Sequence, residues 1–382
     1  MRGFSLAFFL SLSLLASAGE SFREFLEKEL SGFEKEKEEY DRYLRDVEKE
    51  FQEYKRIVSE EFRRFKEEVI GRWGYYEASD KKKIVQYSKD LRVKRVFDFE
   101  KGELRIEVLG NAGRDTLEKE LRDFISQTER EAFLSDRLLV RIERRVSGLK
   151  HVKRARLSDT PILAPLLSGK DAKALLKEGT LVRKTSPKGT ITSFKVKVRR
   201  GRIPKRAFIY KPLVVEESEK HDLPPDLVFA IIHTESYFNP LATSPVPAYG
   251  LMQVVPGSAG IDATRFLFGK PYLLAPSFLY NPKNNIRIGT AYLHLLYYRY
   301  FKGVRDERSR LLCVIAAYNT GPGNVARAFT GGKDLSEAIE VINGLSYKEV
   351  LRTLLYRLPY RETRDYVRKV SGRMSMYREL LR

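Results

Sequence analysis

The sequence of 382 residues contains one cysteine, Cys313. No intramolecular disulfide can form, and a metal site built on thiolates is excluded. Set within Leu311 to Ala317, Cys313 reads as a small core residue. The four histidines, His151, His221, His233 and His294, are scattered without metal-ligand spacing. His233 lies two positions before Glu235 and so points elsewhere on a helix, which makes it a structural histidine. No serine occupies a nucleophile elbow and no glycine loop is built to cradle phosphate. Neither a metal nor a cofactor is therefore expected. Long apolar runs are missing too. The run Phe4 to Leu15 is too short to anchor comfortably in a bilayer, and no other stretch approaches spanning length. Acidic residues are outnumbered, with 51 Asp and Glu against 71 Lys and Arg, a formal charge of +20. Such a chain seeks a polyanion: nucleic acid, an acidic membrane surface or an acidic glycan.

What is present narrows that choice. Arg2, the apolar run and the small residues Ala16-Ser17-Ala18 form a secretory signal peptide over residues 1–18, with the mature chain starting near Gly19. Export argues against a nucleic-acid partner and for the cell envelope. At 42% hydrophobic and 12% aromatic, the rest is long enough for two domains with ordinary cores. From 21 to 73 the chain is charged and free of proline, and Phe25, Phe33, Tyr40, Tyr43, Val47, Phe51, Tyr54, Val58, Phe62 and Phe65 recur mostly at spacings of three and four. This predicts a long amphipathic helix, with a break near Gly32. Its stripe is aromatic where a coiled coil would carry Leu and Ile, so it should lie across its own domain or a neighbour.

Alternation predicts strands over Lys83 to Ser88, Val93 to Phe99, Glu103 to Leu109 and Thr190 to Arg199, with helices over Asp115 to Glu131, Ser135 to Val146 and Ile162 to Lys177. Residues 19–203 thus read as an α+β domain with an antiparallel sheet, and carry no catalytic constellation. At Gly201 to Pro204 the character changes, and 204–382 reads as helix after helix: Lys211 to His221, Pro225 to Ser236, Ile286 to Tyr300, Ser309 to Tyr318, Gly323 to Phe329, Tyr347 to Leu354 and Thr363 to Arg378.

One of these helices ends on an acid. Pro224, Pro225 and Asp226 suit a first turn, the run Leu227 to Ile232 is too continuous for a surface helix, and Glu235 sits near the end before Ser236, Asn239 and Pro240 stop it. An apolar setting and the negative end of the helix dipole both raise the pKa of such a carboxyl group. A Glu protonated near neutral pH is a general acid; the bland alternative is a polar residue where the helix surfaces. Downstream, Gly250-Leu251-Met252-Gln253 and Ala317-Tyr318-Asn319 place polar side chains among apolar ones near glycines. Gln253, Tyr318 and Asn319 could hydrogen-bond an uncharged polar ligand such as a sugar. Near Glu235 there is no obvious Asp or Glu partner. Asp262 is the nearest acid after it, and it reads as a structural cap.

Taken in this order, Glu235-Ser236, Gly250-Leu251-Met252-Gln253 and Ala317-Tyr318-Asn319 resemble the soluble-lytic-transglycosylase-like catalytic domain of lytic murein transglycosylases, whose fold is related to goose-type lysozyme. Ser258 to Asp262, Tyr280 to Leu293 and Glu362 to Val367 look like the membrane-bound lytic murein transglycosylase C group, as do Phe65 to Gly74, Val85 to Asp90 and Phe97 to Glu107 in the N-terminal half. The resemblance implies a multidomain chain: an N-terminal α+β domain with a long amphipathic helix, then an all-α lysozyme-like (goose-type) catalytic domain. It implies Glu235 as the single catalytic residue, first acid to the glycosidic oxygen and then base toward the muramoyl 6-hydroxyl, giving 1,6-anhydromuramoyl ends without water. It also implies that Ser244 orients the acetamido group, that Met252 and Gln253 line sugar subsites, that Tyr318 and Asn319 face the cleft, and that Tyr366 points at Glu235. The implied partner is the peptidoglycan glycan strand, with peripheral outer-membrane association as a further expectation. A substrate whose N-acetyl group assists needs only one carboxylate. A water-adding muramidase and a non-catalytic envelope-binding protein are the rival readings. The chain departs from its group in one respect: Leu15 to Gly19 lacks the lipid-bearing cysteine, so a soluble or peripherally bound periplasmic protein is expected.

Overall fold

The proline-free stretch folds as one helix, α1 (Glu20–Trp73), of 54 residues, about 80 Å long at 1.5 Å per residue. It passes through Gly32 without the expected break. The structure is a computed structural model and describes residues 20–198, 204–244 and 247–381. The signal peptide, the region without the lipid-bearing cysteine and the change of character at Gly201 lie outside or at the edge of the described residues. The inner face of α1 buries Val47, Tyr54, Ile57, Phe65, Val69 and Trp73. The Trp73 indole N–H donates to the Leu91 carbonyl at 2.8 Å, and the Tyr43 hydroxyl donates to the Pro271 carbonyl at 2.7 Å. The helix therefore lies along both halves of the chain.

After α1 come β1 (Lys83–Tyr87), β2 (Val93–Asp98) and β3 (Glu103–Leu109). Three helices follow: α2 (Arg114–Ser126), α3 (Glu129–Ser135) and α4 (Arg137–Val146). A two-residue strand β4 (Val152–Lys153), helix α5 (Ala172–Glu178) and strands β5 (Thr180–Ser186) and β6 (Gly189–Lys197) complete this half. The five long strands form one antiparallel sheet in the order β1-β2-β3-β6-β5, with Ile106 opposite Phe194 at its centre. The single helix expected over Asp115 to Glu131 is two. Thr128 and Glu131 form a capping box, each side chain taking the other's backbone N–H, and this starts a new helix. The helix expected over Ile162 to Lys177 shrinks to α5 after a short turn of helix at Ala164–Leu166. Strand β5 was not expected; its residues are almost all exposed, so it shows no burial alternation to read.

The second half is built of helices α6 (Arg206–Lys220), α7 (Pro225–Glu235), α8 (Ala259–Phe268), α9 (Pro276–Leu279), α10 (Pro282–Leu295), α11 (Glu307–Thr320), α12 (Pro322–Thr330), α13 (Leu335–Asn343), α14 (Tyr347–Arg357) and α15 (Arg361–Leu381). Its one strand, β7 (Leu273–Leu274), pairs in parallel with β4 across the chain. One continuous apolar core runs from Phe97 and Leu104 in the sheet to Leu227 and Ile231 in α7. A buried polar junction sits within it: Arg206 on α6 donates to the Phe238 carbonyl at 3.1 Å and pairs with Glu129 on α3 at 3.3 Å. The two halves are thus packed as one body around the end of α7.

Candidate active site

Helix α7 is held by packing on every side: Leu227 to Ile232 are all fully buried, and each large apolar side chain so placed contributes about 1.5–3 kcal/mol. Helix α15 lies along it and fastens it residue by residue. Arg378 donates to the Asp226 carboxylate at 2.7 Å, Tyr377 meets His233 Nδ1 at 2.9 Å, and Arg373 donates to the Thr234 hydroxyl at 2.8 Å. His233 is therefore a structural residue, its pKa pushed down to about 3 by burial. Beyond Glu235 the chain turns sharply, with Tyr237 and Phe238 at positive φ. Glu235 ends the helix with only 4% of its surface exposed.

Burial pushes the Glu235 carboxyl above its ordinary value, against the opposing pull of Lys81 and Tyr366 and with a further push from Glu362. The Lys81 ammonium reaches Glu235 Oε2 at 3.1 Å and Glu362 Oε1 at 3.7 Å. Tyr366 is buried against the same carboxyl, and its hydroxyl has no hydrogen-bond partner at full geometry among the described residues. A carboxyl group that keeps its proton to higher pH than a free Glu, beside an unsatisfied hydroxyl, is suited to giving up and recovering a proton.

The loop after α7 is held by a residue that sequence reasoning missed. Asn285 on α10 accepts the Met252 N–H at 2.7 Å and donates to the Tyr249 and Leu279 carbonyls, both at 2.8 Å. Gly250 sits at φ +76°, and a Cβ there would fall 2.3 Å from the Leu279 carbonyl oxygen, so only glycine fits. Met252 is fully buried, and a Cβ at Gly289 would meet its sulfur at 2.4 Å. Its carbonyl accepts the Tyr318 hydroxyl at 2.8 Å. Gln253, at φ +49°, donates to the Ala242 and Gly250 carbonyls at 3.0 Å, while its Oε1 is buried without a partner among the described residues. The Asn319 Oδ1 accepts the Thr363 hydroxyl at 2.8 Å.

The fold thus brings Glu235, Tyr318 and Tyr366 to one place, where burial and the charge of Glu235 hold both phenols in the neutral form. Asn319 joins through α15, and Met252 and Gln253 through the loop. Ser244 lines a cavity of about 260 Å³ between α1, β1 and this loop, together with Phe65, Ser79, Gln86, Tyr249 and Tyr280. The N-terminal half therefore borders the site. Asp262 lies inside α8, where its carboxylate receives the Tyr300 hydroxyl at 3.4 Å; it does not cap the helix, which begins after Ser258. Lys81 and Glu362, like Asn285, were missed. Lys81 lies in the charge run Asp80 to Lys83, which offers no local signal for a contact 154 positions away.

Residues 212–340 match the profile of the family described as Transglycosylase SLT domain. Over 205 residues the chain is 40% identical to the membrane-bound lytic murein transglycosylase C of Serratia proteamaculans, which covers 53% of this chain and 56% of that protein. The chain thus spans little more than half the length of that relative. Against the protein of the same name from Actinobacillus pleuropneumoniae the match extends to 331 residues at 32% identity, 82% of this chain and 85% of the other. Among solved structures, an inactive mutant of the lytic transglycosylase Slt from Pseudomonas aeruginosa is 32% identical over 47% of this chain and 25% of its own, with a TM-score of 0.36. That overlap is too partial to speak for the fold. With a relative matched over 85% of its length, the chain belongs to the membrane-bound lytic murein transglycosylase C family.

Proposed function

We propose that this chain is a peptidoglycan lytic transglycosylase that cleaves the β-1,4 bond between N-acetylmuramic acid and N-acetylglucosamine, with Glu235 as acid and then base. The observation that carries the reading is the Glu235 carboxyl itself: buried at the end of a packed helix, raised in pKa, and set beside the Tyr366 hydroxyl. Glu235 gives its proton to the glycosidic oxygen as the bond from the muramoyl C1 breaks. The substrate's acetamido oxygen shares the charge that develops at C1, which lets one carboxylate suffice. The carboxylate then takes the proton of the muramoyl 6-hydroxyl as that oxygen bonds to C1. The ring closes as a 1,6-anhydro end, Glu235 is protonated again, and no water is consumed. In this reading Ser244 and Asn319 face the acetamido group, Gln253 offers its unpaired Oε1 to a sugar, and Met252 serves through its backbone, which positions Tyr318.

A second reading has a specific observation in its favour. Glu362 on α15 shares Lys81 with Glu235, so two carboxylates stand at one site, as a water-adding muramidase would need. Glu362 is 78% exposed and lacks the burial that would tune it, which favours the single-carboxylate scheme. The basic surface suits a meshwork bearing acidic stem peptides, with affinity that weakens as salt rises. No described helix is long and apolar enough to cross a membrane, and the proposed setting is the periplasm, soluble or peripherally attached to the envelope.

Incubation of the purified protein with purified sacculi should release soluble muropeptides, most of them carrying anhydro ends by mass spectrometry. Failure to release any muropeptide at any salt concentration would contradict the reading and favour a binding protein.

A further inference from the structure

The segment between α1 and β1, residues 74–82, crosses from the N-terminal half to the end of α7, and almost every polar group along it is fastened. The Glu77 N–H donates to the Tyr87 hydroxyl at 3.0 Å. Lys94, itself 1% exposed, and Arg105 grip the Glu77 carboxylate at 3.0 and 2.6 Å; despite burial, their charges hold Glu77 down to about 2. The Ser79 hydroxyl accepts the Val85 N–H at 2.9 Å and donates to the Val85 carbonyl at 3.2 Å. Asp80 closes the turn, its N–H donating to the Lys83 carbonyl at 3.0 Å and its Oδ1 accepting the Lys82 N–H at 2.8 Å.

Three lysines follow, and each meets a different acid. Lys82 pairs with Glu100 at 2.5 Å. Lys83 pairs with Glu77 at 3.4 Å and Asp80 at 3.8 Å. Lys81, at the tip of the turn and 33% exposed, is the one turned to Glu235. A flexible surface lysine would pay rotamer entropy to hold one geometry; here the backbone beneath it is already fixed.

We propose that Lys81 is a positioning residue of the Glu235 site, presented by this fastened segment so that its ammonium stabilises the carboxylate formed when the proton leaves. The inference rests on the acid–base reading of Glu235 given above. Lys81 binds Oε2 and exchanges no proton; the proton travels on Oε1 to the leaving glycosidic oxygen and returns from the 6-hydroxyl. Between those transfers Glu235 is an anion in a buried place, where an uncompensated charge is costly. Lys81 compensates it at that moment. The groups facing Glu235 are Lys81 from the segment, Glu362 and Tyr366 from α15, and Tyr318 from α11. Burial works against the Lys81 charge, yet Glu235 and Glu362 hold its ammonium above the ordinary value, so it stays charged wherever the enzyme works.

The signs can be tested. Glu235 must be protonated in the free enzyme, so kcat/KM falls as pH rises through its pKa. An opposite charge at this distance favours the charged form by about one to three pH units. Lys81→Met should therefore move the alkaline limb of the kcat/KM profile upward by about one unit. It should also lower the acid-side plateau of kcat by about tenfold, since the developing carboxylate loses its counter-charge; KM should barely change. Lys81→Arg should restore limb and plateau. Glu362→Gln should move the limb the other way, because Glu362 pushes the Glu235 carboxyl up. The substrate is soluble uncross-linked glycan strand, and melting temperatures are recorded for each full-length variant. A limb unmoved in both Lys81→Met and Glu362→Gln overturns the proposal. So does a rise in rate at every pH with a lower KM, which would make Lys81 a cover over Glu235. If Glu235→Gln retains parental activity, the acid–base reading fails; if it is inactive and the limbs do not move, only this proposal fails.

Discussion

Glu235→Gln lowers turnover on peptidoglycan by at least about 10²–10⁴-fold, the usual share of a positioned acid or base, and leaves the melting temperature within a few degrees of the parent. The substitution keeps the shape of the side chain and removes only its proton chemistry. An amide can neither protonate the glycosidic oxygen nor accept the 6-hydroxyl proton, so both halves of the reaction stop together. Stability is spared because the contacts that hold α7 do not involve the carboxyl group: Leu227 to Ile232 are packed, and Asp226, His233 and Thr234 carry the bonds to α15. Removing a carboxyl from a buried setting also relieves its desolvation, and that offsets the loss of the Lys81 pair. Clearing rates of sacculi suspensions, measured beside thermal melts, check this. Parental activity in the variant would remove Glu235 from the mechanism.

Asn285→Ala is the second large effect, and it acts on both stability and activity. The amide of Asn285 satisfies the Met252 N–H and the Tyr249 and Leu279 carbonyls in a place with no exposure. Each buried polar group left unpaired costs about 1–3 kcal/mol, so the expected loss is about 3 kcal/mol or more. The same change frees the turn that carries Gly250 to Gln253, whose positive φ at Gly250 and Gln253 is held by that network. Tyr318, which rests on the Met252 carbonyl, then loses its anchor. Urea unfolding should show the stability loss, and residual activity well below the folded fraction should show the misplaced loop. An unfolding midpoint close to the parent's would mean that the loop is held elsewhere.

How much of this could be read beforehand depended on whether the signal was local. The helix that ends on Glu235 announces itself through six successive apolar residues, and burial bears this out. Strands β1, β2, β3 and β6 alternate visibly because each buries one face against the core. Strand β5 does not, since its residues face solvent almost throughout and only hydrogen bonds to β6 define it. The division between α2 and α3 was legible in principle, as Thr128 and Glu131 stand at capping-box spacing, but a continuing polar–apolar rhythm masked it. The site residues missed share one property: their roles depend on distant partners. Asn285 looks like part of a polar helix start after Pro282, and only the packed loop makes it a hub. Lys81 is one of three lysines in a row, and nothing but the fold of Glu77, Ser79 and Asp80 around it selects which acid it meets. Glu362 likewise enters the site only because α15 lies along α7.

The claim at the centre is that Glu235 makes the muramoyl 6-hydroxyl, and not water, the nucleophile. Digestion of purified sacculi by the full chain in water enriched in heavy oxygen, followed by mass spectrometry of the released muropeptides, tests this directly. The account predicts 1,6-anhydromuramoyl ends that carry no heavy oxygen. Reducing muramoyl ends bearing one heavy oxygen each would contradict it, and would point to hydrolysis with Glu362 as the second carboxylate.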